Sequence, residues 1–133
     1  MVYDQFRSIE NATWEWDETV DFEFTMEDTA TYHNIQIQLR HSVDYPLSNL
    51  YMFVQITGPS GRQLTDTINF ILARHSGEWI GKGIGSIREI GYLYKENTLF
   101  PESGDYHIAI EQGMRLREVP VSEVGVRVTK VIR

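Results

Sequence analysis

The side chains best suited to chemistry in this chain are four histidines and a cluster of carboxylates, and neither set has the spacing of a working centre. His33, His41, His75 and His107 are candidates for acid–base work or for zinc. No HExxH spacing links them, and each adjoins a strand or turn where an imidazole commonly faces solvent. His33 and His41 are eight residues apart, so on one unbroken strand they share a face at a separation of about 26 Å, too far for one ion. Asp17, Glu18, Asp21 and Asp28 are hard oxygen donors of the kind calcium takes. No Asp-x-Asp-x-Asp-Gly loop organises them, and Asp21 and Glu23 read equally well as the wet face of a strand whose dry face is Phe22 and Phe24.

Nucleophilic and nucleotide chemistry are poorly provided for. There is no Gly-x-Ser-x-Gly elbow, and the absence of cysteine removes disulfides, thiolate metal ligands and a cysteine nucleophile. The run Gly77-Glu78-Trp79-Ile80-Gly81-Lys82-Gly83 has the glycines of a phosphate loop but not its Gly-Lys-Ser/Thr ending, and no helix follows. Gly81, Gly83 and Gly85 instead leave one face of an extended segment bare, ready for Trp79 or a neighbouring tyrosine to lie against. Two convergent carboxylates would make a small glycan hydrolase, an arrangement only the fold can create. The expectation is a protein without catalytic residues, cofactor or metal.

Charge narrows the partners. The net charge is −7, and between Ser8 and Leu39 there are eight acidic residues and no Lys or Arg. Nucleic acid requires a basic footprint that displaces phosphate counterions, so no nucleic-acid partner is expected. No stretch reaches the roughly 18–20 apolar residues of a membrane span, and no signal-peptide pattern opens the chain.

The elements that would position these residues repeat with period two. Val20, Phe22 and Phe24 alternate with Asp21, Glu23 and Thr25, and Ile35, Ile37 and Leu39 alternate with Gln36, Gln38 and Arg40. The same pattern runs through Tyr106–Ile110 and Val124–Val128. Leu50 to Ile56 is apolar on both faces, which predicts a central strand covered on both sides. Leu64 to Leu72 fits either a helical stripe or a strand, and its β-branched residues favour the strand. Ser86 to Tyr94 admits a short helical turn before a strand. Seven to nine short strands with no long helix predict an all-β protein, one antiparallel β-sandwich of jelly-roll or immunoglobulin-like topology across residues 1–133. Residues 1–12 are expected to be an extended N-terminal segment. Trp14 and Trp16 share one side of a short extended stretch and are expected to pack on the sandwich. With Trp79, Tyr45, Tyr51, Tyr92 and Tyr94 they are also the aromatic platform available to a sugar or a protein partner.

A series of local stretches adds a more specific reading. Tyr45-Pro46-Leu47-Ser48-Asn49-Leu50-Tyr51, Asp66-Thr67, the Gly77–Gly83 run, Tyr94-Lys95-Glu96-Asn97, Phe100-Pro101, Gly104-Asp105-Tyr106 and Glu111-Gln112-Gly113-Met114-Arg115 follow in this order. In that order the chain resembles the GldH family of gliding-motility lipoproteins, over nearly its whole length. The resemblance implies a non-catalytic, lipid-anchored protein of the outer membrane, associated with the gliding and type IX secretion machinery. Its anchor would be a lipid-modified Cys upstream of Val2, its only attachment to membrane, and its partners other cell-envelope proteins. The motif residues expected in an interaction surface are Tyr45, Ser48, Asn49, Trp79, Lys82, Gln112 and Arg115. The competing assignment is structural, with Asn49 and Gln112 satisfying backbone groups and Arg115 pairing with a carboxylate. A jelly-roll carbohydrate-binding module, with glycan as ligand, is the alternative from another class.

Overall fold

In the computed structural model, which describes residues 2–132, the alternating runs form ten strands. They are β1 (Tyr3–Ser8), β2 (Trp14–Glu15), β3 (Val20–Met26), β4 (His33–Ser42), β5 (Asn49–Thr57), β6 (Gln63–Ile71), β7 (Ile87–Thr98), β8 (Gly104–Gln112), β9 (Glu118–Val119) and β10 (Val121–Lys130). One sheet has the order β1-β10-β4-β7 and the other β3-β8-β5-β6, with every pairing antiparallel. Without the two-residue strands β2 and β9, this is the eight-strand order of a jelly roll, in which each half of the chain alternates between sheets. The pattern predicts the sandwich, and the pairing selects the jelly roll over the immunoglobulin-like order.

The core is the set of inward residues that period two supplies. Phe22, Ile37, Leu39, Leu50, Met52, Val54, Ile108, Ile110, Val124, Val126 and Val128 are essentially inaccessible to water. The ambiguous Leu64–Leu72 segment is strand β6, with Ile68 and Phe70 buried and Thr65, Thr67 and Asn69 outside. No helical turn precedes β7; a tight turn at Gly85-Ser86 leads directly into it. Tyr3–Ser8, within the expected extended segment, adds to the first sheet's edge by pairing with β10.

Two expectations need correcting. β5 is central in its sheet but is covered on one face only, because Tyr51 and Phe53 stand 42% and 44% exposed. Trp14 is fully buried, its indole N–H donating to the Glu18 carbonyl at 2.8 Å, whereas Trp16 is exposed. The chain turns at Trp16-Asp17, so the parity that places both tryptophans on one side ends after two residues.

Because strands run antiparallel, the sandwich has two poles. Segments 9–19, 43–48, 72–86 and 113–120 lie at one pole; segments 27–32, 58–62 and 99–103 lie at the other, where β1 also begins opposite Val128.

Candidate functional site

The stretch Tyr45–Tyr51, the glycine-rich run and the Gln112–Arg115 stretch all reach the same pole. There they form a buried support and an exposed face. In the support, the Tyr45 ring is buried and its hydroxyl donates to the Asn49 carbonyl at 2.7 Å. Burial pushes that phenol well above its ordinary pKa, so it stays a neutral donor. Its neighbour His41 is inaccessible to water and packs against Trp79 with ring centroids 4.7 Å apart. Burial lowers the His41 pKa against the opposing hydrogen bond to the Ser42 carbonyl, with Arg88 lowering it further. Tyr45 and Trp79 are thus parts of the scaffold.

Gln112 belongs to the support as well. It is buried at the end of β8, its amide N–H donating to the Leu116 carbonyl at 3.0 Å while its amide oxygen accepts from the Met114 N–H at 2.8 Å. A reverse turn of backbone is thereby fixed by one side chain. The turn holds Met114 against β5. The Tyr51 N–H lies 3.2 Å from the Met114 sulfur, and the Gly113 N–H donates to the Tyr51 carbonyl at 2.6 Å. Gly113 gives the Phe53 ring room, since a Cβ would stand 3.0 Å from that ring and push it outward.

The exposed face follows from this support. Asn49, Tyr51 and Phe53 project from β5, opposite Ile71, Asn69 and Thr67 of β6. The Asn49 amide donates to the Asn69 side-chain oxygen at 2.8 Å, which stiffens one border. Glu111 forms the other border, opposite Phe53, and accepts a hydrogen bond from the Thr19 hydroxyl at 2.9 Å. Arg115 is exposed at the tip and has no ion pair with a described residue. Met, Arg and aromatic side chains are the types enriched where proteins meet. Ser48 is exposed beside this face, its carbonyl accepting from the Leu72 and Ala73 N–H groups.

Lys82 lies elsewhere. The glycine run folds back on β7, where the backbones of Lys82 and Glu89 exchange hydrogen bonds of 2.9 and 2.8 Å. The bare face of the run is occupied by that backbone and not by an aromatic ring. A Cβ on Gly81 would sit 2.8 Å from the Glu89 carbonyl oxygen, and one on Gly83 only 2.2 Å from that of Ile87. Gly85 is different, a turn residue at φ +76° with open space around it.

The histidines and carboxylates do not converge. Among the described residues no three His, Asp or Glu side chains are placed to share a metal ion. Asp28 caps its own loop, accepting from the Ala30 and Thr31 N–H groups at 3.0 Å, and a hydrogen bond from the Thr31 side chain, ahead of the one from the Ala30 N–H, holds its pKa below the usual value. His107 pairs with Asp21 across the outer face at 2.8 Å.

The residues over 1–128 match the GldH lipoprotein family model. The chain belongs to the GldH lipoprotein family. The gliding motility lipoprotein GldH homolog of Christiangramia forsetii is 35% identical over 137 aligned positions, covering 97% of this chain and 83% of that protein. The gliding motility lipoprotein GldH of Flavobacterium johnsoniae is 33% identical over 114 positions, covering 86% and 70%. Among solved structures, the Yersinia pseudotuberculosis-derived mitogen is similar at a TM-score of 0.41 with 8% identity, covering 97% of this chain and 86% of that one. That likeness is too loose to bear on function. As a GldH lipoprotein the chain is of an envelope-anchored kind, and no helix among the described residues is long and apolar enough to cross a membrane.

Sequence reasoning missed Phe53. The signal lay in the neighbouring strand: a polar series Thr65, Thr67, Asn69 pairs with Gln55, Phe53 and Tyr51, and such a strand can border only a solvated face.

Proposed function

We propose that this GldH-family protein is a non-catalytic binding domain that docks another cell-envelope protein of the motility and type IX secretion machinery through the β5 face. The observation that carries this reading is the pair Tyr51 and Phe53, both more than 40% exposed on the middle of a sheet and buttressed from behind by the Gln112 turn. Rigid aromatic rings contribute large contact area at low entropic cost, and a supported surface loses little freedom on docking. Asn49, Ser48 and Arg115 supply the polar contacts around them. Tyr45, Trp79 and Gln112 act by holding the surface in shape.

The poles give the domain a direction. β1 begins at the pole opposite the motif loops. A lipid on a Cys upstream of Val2 would therefore hold that pole to the outer membrane and present the β5 face up to about 30 Å away, the length of a nine- or ten-residue strand.

Photocrosslinking tests the reading. A crosslinking amino acid at Phe53 of the membrane-anchored protein is expected to trap one envelope protein, whereas one at Glu27, at the other pole, traps none. Equal capture from both positions would count against it. A flat pair of exposed aromatics also suits a glycan, and capture of glycan in place of protein at Phe53 would make the carbohydrate-binding module the better reading.

A further inference from the structure

At the pole away from the β5 face, the sandwich is open between the edge strands β6 and β7, and the opening leads into a cleft of about 340 Å³. That volume is within the range of small-molecule sites. Four stretches that carry the family resemblance meet around it. Asp66 of β6 takes hydrogen bonds from the Tyr94 hydroxyl and pairs with Lys95 at 3.4 Å, which ties the two edges together beside the opening. Phe100, Pro101 and Tyr106 form its wall.

The chemistry of the lining is sorted by depth. Ile35, Phe100 and Tyr106 are buried, Ile56 is half-buried, and Leu64 and Leu99 complete an apolar interior and mouth. The Tyr106 hydroxyl, the polar atom of the buried set, is already engaged. It donates to the Glu102 carbonyl at 2.7 Å and accepts from the Glu102 N–H at 3.1 Å. Gln63 and Thr98, exposed and half-buried, are the neutral polar side chains of the lining; a sugar seated against the buried set would leave hydroxyls unpaired there, which is costly, whereas an alkyl chain loses nothing. The ionic groups of the lining are Lys95, Arg62 and Glu102, and all three are exposed or half-exposed. Lys95 is committed to Asp66, while Arg62 has no ion pair with a described residue.

We infer that this cleft binds a single acyl chain ending in a carboxylate, a fatty-acid-like amphiphile, with the chain against Ile35, Ile56, Leu99 and Phe100 and the head at Arg62. The site is separate from the β5 face and does not depend on the docking reading. Glu102 opposes the head, so it sets how tightly an anion is held and selects against multiply charged heads.

Titration calorimetry of the full chain with saturated fatty acids from hexanoate to tetradecanoate, each below its micellar concentration, tests the inference. Affinity should rise about fourfold per added methylene while the chain is still entering the cleft, then level off when it is full. Leu99→Trp, an exposed position on a loop, should move the plateau to shorter chains without lowering the melting temperature. Arg62→Ala should weaken carboxylates about tenfold and leave the matching alcohols unchanged; Glu102→Gln should tighten carboxylates. The inference is overturned if no saturable binding occurs at any chain length, or if Leu99→Trp leaves the chain-length profile as it was. Carboxylates that bind no better than alcohols, in wild type and Arg62→Ala alike, would overturn the assignment of the head.

Discussion

Tyr51 and Met114, from two stretches sixty-three residues apart in sequence, meet backbone to sulfur at 3.2 Å. The contact is the point at which β5 and the β8–β9 turn become one surface. Two of the side chains beneath that surface, Tyr45 and Gln112, are themselves held by hydrogen bonds to the main chain.

Gln112 is the residue that fixes the turn, so Gln112→Ala should release it. The change removes one donor and one acceptor from partly buried backbone partners, a loss of about 1 kcal/mol. Hydrogen exchange should accelerate at the Met114 amide first, while the amides of β3 stay protected. Uniform acceleration across the domain would show that the side chain serves global stability alone.

Tyr45→Phe isolates a single hydrogen bond. The ring stays buried against His41 and Trp79, and only the donation to the Asn49 carbonyl is lost. A fall of about 1 kcal/mol in unfolding free energy is expected from denaturant titration.

His41 should make the fold acid-sensitive. Its folded pKa lies below the ordinary value because burial disfavours the imidazolium. The unfolded chain therefore binds the proton more readily, and the stabilisation present above about pH 6.5 is lost as pH falls below that value towards the folded pKa. His41→Phe, which keeps an aromatic ring against Trp79, should lose less melting temperature between pH 7 and pH 5 than the wild type does. Identical acid slopes for the two proteins would contradict this.

The glycines of the β6–β7 connection should respond unequally. Gly83→Ala places a methyl group 2.2 Å from the Ile87 carbonyl oxygen, so the segment must lift off β7, and thermal melts should show a large loss of stability. Gly85→Asn meets nothing within 4 Å and has only the backbone strain of φ +76° to bear, which asparagine carries better than other L residues, so it should cost about 1 kcal/mol.

Much of the fold is legible in the sequence because period two translates directly into inward and outward faces, as at Phe22 and Phe24 or Ile35, Ile37 and Leu39. The strand order is not, since it depends on which edges meet, information no single strand carries. The candidate site was legible as a set of stretches but not as a division of labour. Tyr45, Trp79 and Gln112 look functional because aromatic and amide side chains are costly to bury without partners; here the partners are Asn49, His41 and the Met114 turn. Phe53 looks like core because its own strand is apolar on both faces. Only its pairing with Thr67 places it on the solvated side.

The measurement closest to the central claim is a crosslinking pull-down from envelope membranes with the lipidated protein, comparing wild type with Tyr51→Ala/Phe53→Ala. Both residues stand more than 40% exposed, so the double variant should stay folded, losing only the roughly 0.2–1 kcal/mol of each cross-strand pair. A machinery protein recovered with the wild type should disappear with the variant and survive Leu99→Trp at the other pole. Undiminished recovery with a folded Tyr51→Ala/Phe53→Ala variant would contradict it.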